Sequence, residues 1–308
     1  MNIKKYHFTS IAEANKFLEL PKPEHPLFFI VTVEPDNSDI DQECADEAIA
    51  ISQDFYSISY KKVIKGVIHY GRTKYDCENG VMLFMAPGQE VTIDGVVISD
   101  KASLIMIHDD YLKGHKIRDL VKKYGFFSYT ANEALHLSPA EERQIQSIIE
   151  NIEQEYYNNQ DEYSKELILS QLETLLRYSD RYYKRQFLNR KEIASDILSQ
   201  FQTILRNYFE TDKFVAQGMP SIDDIAAELN MSPRYLSDAL KAETGQSALQ
   251  HIHSYLIDEA KNLLLESDLT IEKVSYKLGF EYPHYFSRLF KKKVGKSPSE
   301  YRNEFINN

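Results

Sequence analysis

The sequence predicts a two-domain α+β protein, with an N-terminal β-barrel or sandwich carrying amphipathic helices and a C-terminal all-α tandem helix-turn-helix. Three observations predict this fold class. Short β-type segments fill residues 26–112, apolar residues take up helical spacing after Ser138, and an internal repeat begins at Ser221. A chain of 308 residues is long enough to build a core in each of two domains. The predicted boundaries, in chain order, are 1–135 (β-rich), 136–190 (amphipathic helices for dimerisation and connection) and 191–308 (all-helical).

The β-rich half is predicted from residue types that favour strands. The segments "LFFIVTV" (27–33) and "DFYSISYKKV" (54–63) are rich in aromatic and β-branched residues. Turn-forming residues separate such segments, namely Gly66, Gly71, Gly80, Pro87-Gly88 and Gly95. Many short strands between turns indicate a sandwich or a small barrel.

Amphipathic helices are predicted after residue 138. Ser138 followed by Glu141 matches a capping box at a helix start. Apolar residues then recur at helical spacing in two segments. They are Ile145, Ile148, Ile149, Ile152 and Tyr156, then Ile168, Leu172, Leu175 and Leu176. These stripes must be buried on the sheet, on a partner subunit, or on both.

The C-terminal part contains a duplication. "SIDDIAAELNM" (221–231) aligns with "TIEKVSYKLGF" (270–280) at an offset of 49 residues. "PRYLSDALKAETGQS" (233–247) aligns with "PHYFSRLFKKKVGKS" (283–297) at an offset of 50. Fixed-period similarity indicates a repeated structural unit. Each copy predicts two helices joined by a tight turn, in the layout of a helix-turn-helix.

The turn and the second helix of each copy have matching residues. Asn230 and Gly279 lie at the two turns, where residues that tolerate a positive φ are needed. Pro233 and Pro283 follow, and proline suits the first turn of a helix. Two such matches in tandem predict two recognition helices, which start at Ser232-Pro233 and Tyr282-Pro283.

The segment between the copies sets their separation. "SALQHIHSYLIDEAKNLLLES" (247–267) predicts one helix, and about 20 residues at 1.5 Å each give roughly 30 Å. One turn of B-DNA is about 34 Å, so the two recognition helices could enter successive major-groove segments. The chain is acidic, with a net charge of −11, yet residues 273–302 carry eight basic and two acidic side chains. Such a local basic region suggests a polyanionic partner.

The last hundred or so residues resemble the AraC/XylS family of bacterial transcription regulators. The residues that carry the resemblance are "LGF" (278–280), "YFSRLFKK" (285–292) and "GKSPSEYR" (295–302). The N-terminal half resembles, less specifically, the cupin-type sensing domain of many members, in architecture and in turns such as "APGQ" (86–89).

The resemblance implies a sequence-specific regulator that binds double-stranded promoter or operator DNA. It implies an effector-responsive activator that forms a homodimer and works with RNA polymerase, without a cofactor and without enzymatic activity. The predicted DNA-binding residues are Arg234, Tyr235, Ser237, Asp238 and Lys241 in the first copy, and Pro283, His284, Tyr285, Ser287, Arg288, Lys291 and Lys292 in the second. Among these, Arg288 can donate two hydrogen bonds to a guanine, and the lysines suit phosphates.

Two positions depart from the family pattern. Asp238 stands where basic or amide side chains are common, and it would repel phosphate. It could accept a hydrogen bond from a cytosine amino group or orient Arg234. Leu256 replaces an arginine that the family often has in the connecting helix, which removes one expected ionic contact.

Two other functions compete with this interpretation. A cupin-type metal enzyme needs a His-x-His strand with further ligands, whereas the histidines of the N-terminal half are isolated. His251 and His253 form a His-x-His only on the connecting helix, where they point to different faces. A non-specific architectural DNA binder is the second alternative, although such proteins are usually more basic.

The N-terminal half could hold a small-molecule effector or serve dimerisation alone. Residues that could line an effector pocket are Tyr56, Tyr60, His69, Tyr70 and Tyr75. The first residues, "MNIKKYHFTSIAEANKF", lack an apolar segment of signal-peptide length. We therefore expect a cytoplasmic protein without a membrane partner and, since the two cysteines lack zinc-site spacing, without a structural metal.

Overall fold

The computed structural model describes residues 4–33, 49–61, 80–93, 101–130, 133–158, 161–189, 191–211, 218–266 and 269–306. The chain divides into two compact units, Met1–Gln186 and Phe187–Asn308. The described strands are β1 (Lys4–Phe8), β2 (Phe28–Val33), β3 (Ile49–Gln53), β4 (Tyr56–Lys61), β5 (Val81–Met85), β6 (Val91–Ile93), β7 (Ala102–Ile107) and β8 (Leu135–His136). The described helices are α1 (Ile11–Phe17), α2 (Ile117–Lys123), α3 (Pro139–Tyr157), α4 (Ser164–Asn189), α5 (Lys191–Glu210), α6 (Ile222–Glu228), α7 (Pro233–Thr244), α8 (Ala248–Glu266), α9 (Ile271–Lys277), α10 (Pro283–Val294) and α11 (Pro298–Ile306).

The described residues of the N-terminal unit form two sheets. One has five antiparallel strands in the order β2-β7-β4-β5-β8, and the other has three in the order β1-β3-β6. Strand β1 pairs in parallel with β3, which pairs antiparallel with β6. The sheet-rich character predicted for this half is confirmed. Within the described ranges the strands form two open sheets and not a closed barrel, and the cupin-type identity stays a prediction.

One face of the five-stranded sheet is covered by α3 and α4. The apolar stripe predicted for α3 is buried, from Ile145 to Tyr156, and the Tyr156 ring lies edge-on to Phe28 at 5.7 Å. On α4, the Tyr183 ring lies 6.2 Å from Phe84 of β5. The stripes are therefore buried on the sheet of the same chain, which was one of the predicted alternatives.

Helix α3 begins and docks through polar contacts. The capping box is present, because the Ser138 hydroxyl accepts from the Glu141 N–H and the Glu141 carboxylate accepts from the Ser138 N–H. Further along α3, the Glu153 carboxylate accepts two hydrogen bonds of 2.7 Å from the backbone N–H and hydroxyl of Thr32 on β2. These bonds fix the position of α3 along the strands.

Tyr60 forms a second polar link between the sheet and α3. Its hydroxyl donates to Glu142 at 2.6 Å and accepts from Gln146 at 2.9 Å. The Tyr60 ring is 1% exposed and packs over Gly80, where an added Cβ would lie 2.5 Å from the ring. Glycine at position 80 therefore makes room for this ring.

Candidate nucleic-acid interface

The first helix-turn-helix consists of α6 and α7. The Ser221 hydroxyl caps α6 by accepting from the Asp224 N–H, and the turn after it contains Asn230 with a φ of 55°. The Ser232 hydroxyl accepts from the Tyr235 N–H at 3.2 Å, and Pro233 is the first residue of α7. Both the predicted turn residue and the predicted helix start are confirmed.

The second helix-turn-helix repeats this arrangement in α9 and α10. The Thr270 hydroxyl caps α9, Gly279 occupies the turn with a φ of 79°, and α10 begins at Pro283. Tyr282, which precedes Pro283, makes no side-chain capping bond. Phe286 and Phe290 of α10 are fully buried, whereas Leu289 is half-buried.

A close backbone contact joins the two motifs directly. An added Cβ on Gly279 would lie 2.8 Å from the carbonyl carbon of Gly218 and 3.0 Å from the N of Met219. Gly218 belongs to the loop that leads into the first motif, and its carbonyl accepts a 3.0 Å hydrogen bond from the Tyr208 hydroxyl. The turn of the second motif is thus packed against the entrance of the first, which explains why it requires glycine while Asn230 is tolerated in the other copy.

The connecting helix α8 has 19 residues and a length of about 28 Å. Ile252, Leu256, Ala260 and Leu264 form its buried face, so Leu256 is a core residue, whereas Leu249 in its first turn is exposed. The helix contacts helices of both motifs. Because it is packed along its length, α8 fixes the separation of the two recognition helices.

Two histidines of α8 have perturbed protonation. Burial lowers the pKa of His251, whose Nε2 lies 2.7 Å from the Thr244 hydroxyl. Burial also lowers the pKa of His253, and Lys293 and Lys292 of α10 lower it further. Both groups are therefore biased towards the neutral form in the folded chain.

The recognition helices α7 and α10 present most of the predicted contacts on one side. Positions separated by three, four and seven residues share a helix face. On α7 this face holds Arg234, Ser237, Asp238 and Lys241, and on α10 it holds His284, Ser287, Arg288 and Lys291. Pro283, Tyr285 and Lys292 lie beside it, half-exposed or exposed. Every predicted contact except Tyr235 is thus accessible in the single chain.

Tyr235 requires a correction. Its side chain is 5% exposed and its ring lies 5.1 Å from Phe187, so it is part of the core of the C-terminal unit. The helical period explains this placement, because Tyr235 lies on the same buried face of α7 as Leu236 and Ala239. Tyrosine is common in protein cores. Phe187 is 48 residues away in the sequence, so no local sequence pattern predicts that Tyr235 packs against it.

The charged side chains of the two helices differ in their partners. On α7, the Arg234 Nε donates to the Asp238 Oδ2 at 3.0 Å, one helical turn away. On α10, the Arg288 guanidinium lies 6.0 Å from the centre of the Tyr285 ring, which is 53% exposed. The Asp238 carboxylate is therefore within hydrogen-bond distance of Arg234, as one of its two predicted roles requires.

An exposed aromatic cluster lies at the start of α10. The Tyr285 ring is 4.2 Å from His284 and 5.9 Å from Tyr282. Tyr282 was absent from the predicted contacts, although its exposed position before Pro283 places it beside them. The sequence does mark this position, because Tyr282 is an aromatic residue at the helix N-cap, where a polar capping side chain is usual.

The residues predicted for an effector pocket fall into three groups. Tyr60 is one of the residues that line a cavity between the two sheets of the N-terminal unit, although its hydroxyl bonds Glu142 and Gln146 of α3. Tyr56 packs edge-on against Phe127 at 5.3 Å and is buried. His69, Tyr70 and Tyr75 lie outside the described residues.

The cavity has a volume of about 400 Å³. Its walls are mostly apolar and include Phe8, Val31, Ile51, Leu83, Leu104 and Met106. Ser57 and Ser59, alternate residues of β4, add two hydroxyl groups to the wall.

Within the described part of the chain, no three His, Cys, Asp or Glu side chains are grouped so that they could hold a metal ion. No helix in the same part is long and apolar enough to span a bilayer.

Comparison with known proteins places the repeat in a family. Residues 225–304 match the family model described as a helix-turn-helix domain. An uncharacterised HTH-type transcriptional regulator of Bacillus subtilis (strain 168), YfiF, is 30% identical over 139 residues, which are 45% of this chain and 41% of the relative. The MmsAB operon regulatory protein of Pseudomonas aeruginosa is 38% identical over 81 residues, which are 26% of each chain.

A solved structure is also similar to part of the chain. The C-terminal domain of AraT, a response regulator from Geobacillus stearothermophilus, is 31% identical with a TM-score of 0.31, and the match covers 35% of this chain and 84% of that one. The present chain spans less than half the length of either curated relative. Residues 225–304, which contain nearly all of the two helix-turn-helix motifs, therefore match a helix-turn-helix domain family, and the chain is similar over 139 residues to an HTH-type transcriptional regulator.

Proposed function

We propose that this chain is a sequence-specific DNA-binding regulator of transcription that places α7 and α10 in successive major-groove segments. The observation that carries the proposal is the pair of matching motifs joined by a packed 19-residue helix. Each motif presents a polar face with at least one arginine and one lysine, while its apolar face is buried. A rigid pair of such helices suits two blocks of bases about one DNA turn apart.

The two kinds of contact have different roles in this proposal. Arginine can form a bidentate pair with guanine O6 and N7, and such a pair discriminates against other bases by about 1–3 kcal/mol. Lysine contacts with phosphate add affinity that depends on salt and not on sequence. Arg288 is the candidate base contact of α10, and Lys291 and Lys292 are candidate phosphate contacts.

Selection of bound sites from a random DNA library tests the proposal. We expect a motif of two blocks about ten base pairs apart, and Arg288→Ala should weaken binding to it by about 1–3 kcal/mol. Arg206→Ala is the matched control, because it removes the same charge from an exposed position of α5, outside both motifs. A library without an enriched motif, bound equally by all three proteins, would favour the non-specific architectural alternative.

We also propose that the N-terminal unit responds to a small apolar effector. The cavity volume of about 400 Å³ is within the range of ligand sites, roughly 300–1,000 Å³. Apolar walls favour an apolar molecule over a sugar, since a sugar would leave many hydroxyl groups without partners. Ser57 and Ser59 could bind one polar end group of such a ligand.

Thermal stability in the presence of small apolar molecules tests the effector. A ligand at 100 times its Kd stabilises the folded state by about 2.7 kcal/mol. Leu104→Trp should abolish the stabilisation because the larger side chain fills the cavity. Leu249→Trp, at an exposed leucine of α8 and away from the cavity, should retain it. Equal stabilisation of both variants would place the binding elsewhere, and no stabilisation of the wild type would leave assembly as the role of this unit.

We propose that the chain forms a homodimer through the exposed start of α4. Tyr163 and Leu167 are exposed there, while the apolar stripes of α3 and α4 are occupied by the sheet. Leu167→Glu should therefore produce monomers in light scattering. Leu249→Glu, at another exposed leucine, is the control that should leave the dimer intact. A wild-type monomer at micromolar concentration would contradict the proposal.

A further inference from the structure

We propose that Asp238 is a positioning residue that holds Arg234 for reading a guanine, so that the first recognition helix selects bases by a different arrangement from the second. The inference rests on the proposed DNA binding and concerns how α7 carries it out. It follows from the Arg234–Asp238 contact and from the alignment of the two copies.

The alignment shows that the two helices carry their arginines at different positions. Asp238 of α7 corresponds to Arg288 of α10, and Arg234 corresponds to His284. The arginine of α7 is thus displaced by four residues, or about 6 Å, towards the helix start. An aspartate occupies the place that the arginine holds in the second copy.

The contact between Arg234 and Asp238 leaves the useful donors of the guanidinium available. Its Nε donates to the Asp238 Oδ2 at 3.0 Å. A guanidinium has five N–H donors, so four remain on the two terminal nitrogens. Those two nitrogens form the bidentate pair with guanine O6 and N7. The aspartate therefore restricts the arginine without using the atoms that read the base.

The exposure of the pair fits an orienting role better than a stabilising one. The Arg234 side chain is 52% exposed and that of Asp238 is 27% exposed. Ion pairs at such positions contribute little to folding. In the groove, however, a carboxylate near phosphates opposes non-specific binding, whereas an oriented arginine favours one base. Asp238 should therefore raise affinity for the correct site and lower affinity for all others.

The test is a double-mutant cycle on DNA. The four proteins are the wild type, Arg234→Ala, Asp238→Ala and the double variant, each measured on the selected site and on the same site with the first-block guanine replaced. We expect Arg234→Ala to lower the preference for guanine at least about fivefold. Asp238→Ala should lower it about threefold or more in the wild type and leave it unchanged in the Arg234→Ala background, because a positioning residue acts only through the arginine.

Two further variants separate positioning from charge. Asp238→Asn removes the charge but keeps a hydrogen-bond acceptor, so it should retain much of the guanine preference while raising affinity for random DNA. Glu243→Gln removes the same charge from an exposed position near the end of α7, away from Arg234. It should raise affinity for random DNA without changing the preference for guanine.

The outcomes that overturn the inference are distinct from failure of the proposed function. If the second block is selected and depends on Arg288, DNA reading by α10 stands. Two results would then refute the positioning role alone. One is a first block that shows no preference for guanine, and the other is an Asp238→Ala variant that changes the guanine preference equally with and without Arg234. If neither block is selected, the proposed function fails as well.

Discussion

Replacement of Gly279 by alanine should destabilise the C-terminal unit more than the same change at any other turn glycine of the repeat. Gly279 has a φ of 79°, and a left-handed conformation costs a non-glycine residue about 1–2 kcal/mol. The new Cβ would also lie 2.8 Å from the Gly218 carbonyl carbon, a backbone atom that cannot turn aside. Overpacking of this kind costs about 1–3 kcal/mol, so we expect a total loss of about 2–5 kcal/mol in the free energy of unfolding.

Gly295→Ala is the matched control for this prediction. Gly295 ends α10 with a φ of 84°, but an added Cβ would meet no atom within 4 Å. The free energy of unfolding of Gly295→Ala should therefore fall by only about 1–2 kcal/mol, the cost of a left-handed backbone conformation in a non-glycine residue. Urea denaturation followed by circular dichroism measures both losses. At about 2 kcal/mol per M, the midpoint of the Gly279 variant should lie about 1–2.5 M below that of the wild type. Equal midpoints for the two variants would refute the proposed contact between the motifs.

Three further predictions concern phosphate binding, the sheet and pH. Lys291→Ala should reduce the slope of log affinity against log salt by about 1, equally on specific and random DNA, because a phosphate contact releases one counterion. Tyr60→Phe should lower the free energy of unfolding by about 1 kcal/mol in urea melts, since Glu142 loses its 2.6 Å hydrogen bond. The free energy of unfolding should fall as the pH drops from about 7 to 5. Burial lowers the pKa values of His251 and His253 in the folded chain, so the unfolded chain takes up protons at a higher pH than the folded chain does.

Each of these has an outcome that contradicts it. A Lys291 variant with an unchanged salt slope would remove that lysine from the phosphate contacts. An unchanged urea midpoint for Tyr60→Phe would mean that water replaces the hydroxyl at no cost. A double His251→Gln, His253→Gln variant should show a shallower loss of stability on acidification, and an identical pH profile would assign the loss to other groups.

Local features of the fold were predictable because their causes are local. Ser138 and Glu141 cap α3 through their own backbone neighbours, and Pro233 and Pro283 begin helices because of their fixed φ. The repeat revealed both motifs because each reproduces the same turn and the same core positions. These signals lie within a few residues of the structure that they specify.

Features that depend on distant parts of the chain were not predictable. The strand order β2-β7-β4-β5-β8 brings together segments far apart in sequence. Glycine is required at position 279 because the backbone of Gly218 lies close to it. Tyr235 is buried against the ring of Phe187. The contact between Asp238 and Arg234 likewise depends on the side-chain geometry of α7.

The central claim is that α8 and the contact at Gly279 hold the two recognition helices at a fixed distance and on one side of the DNA. The most direct measurement is the affinity for the selected site when base pairs are inserted between its two blocks. A fixed pair predicts a loss of about tenfold or more for an insertion of two or five base pairs, because one helix is then out of phase with its block. An insertion of ten base pairs should not restore binding, since it returns the phase but not the distance. Affinity that is unchanged by the insertions would contradict the claim.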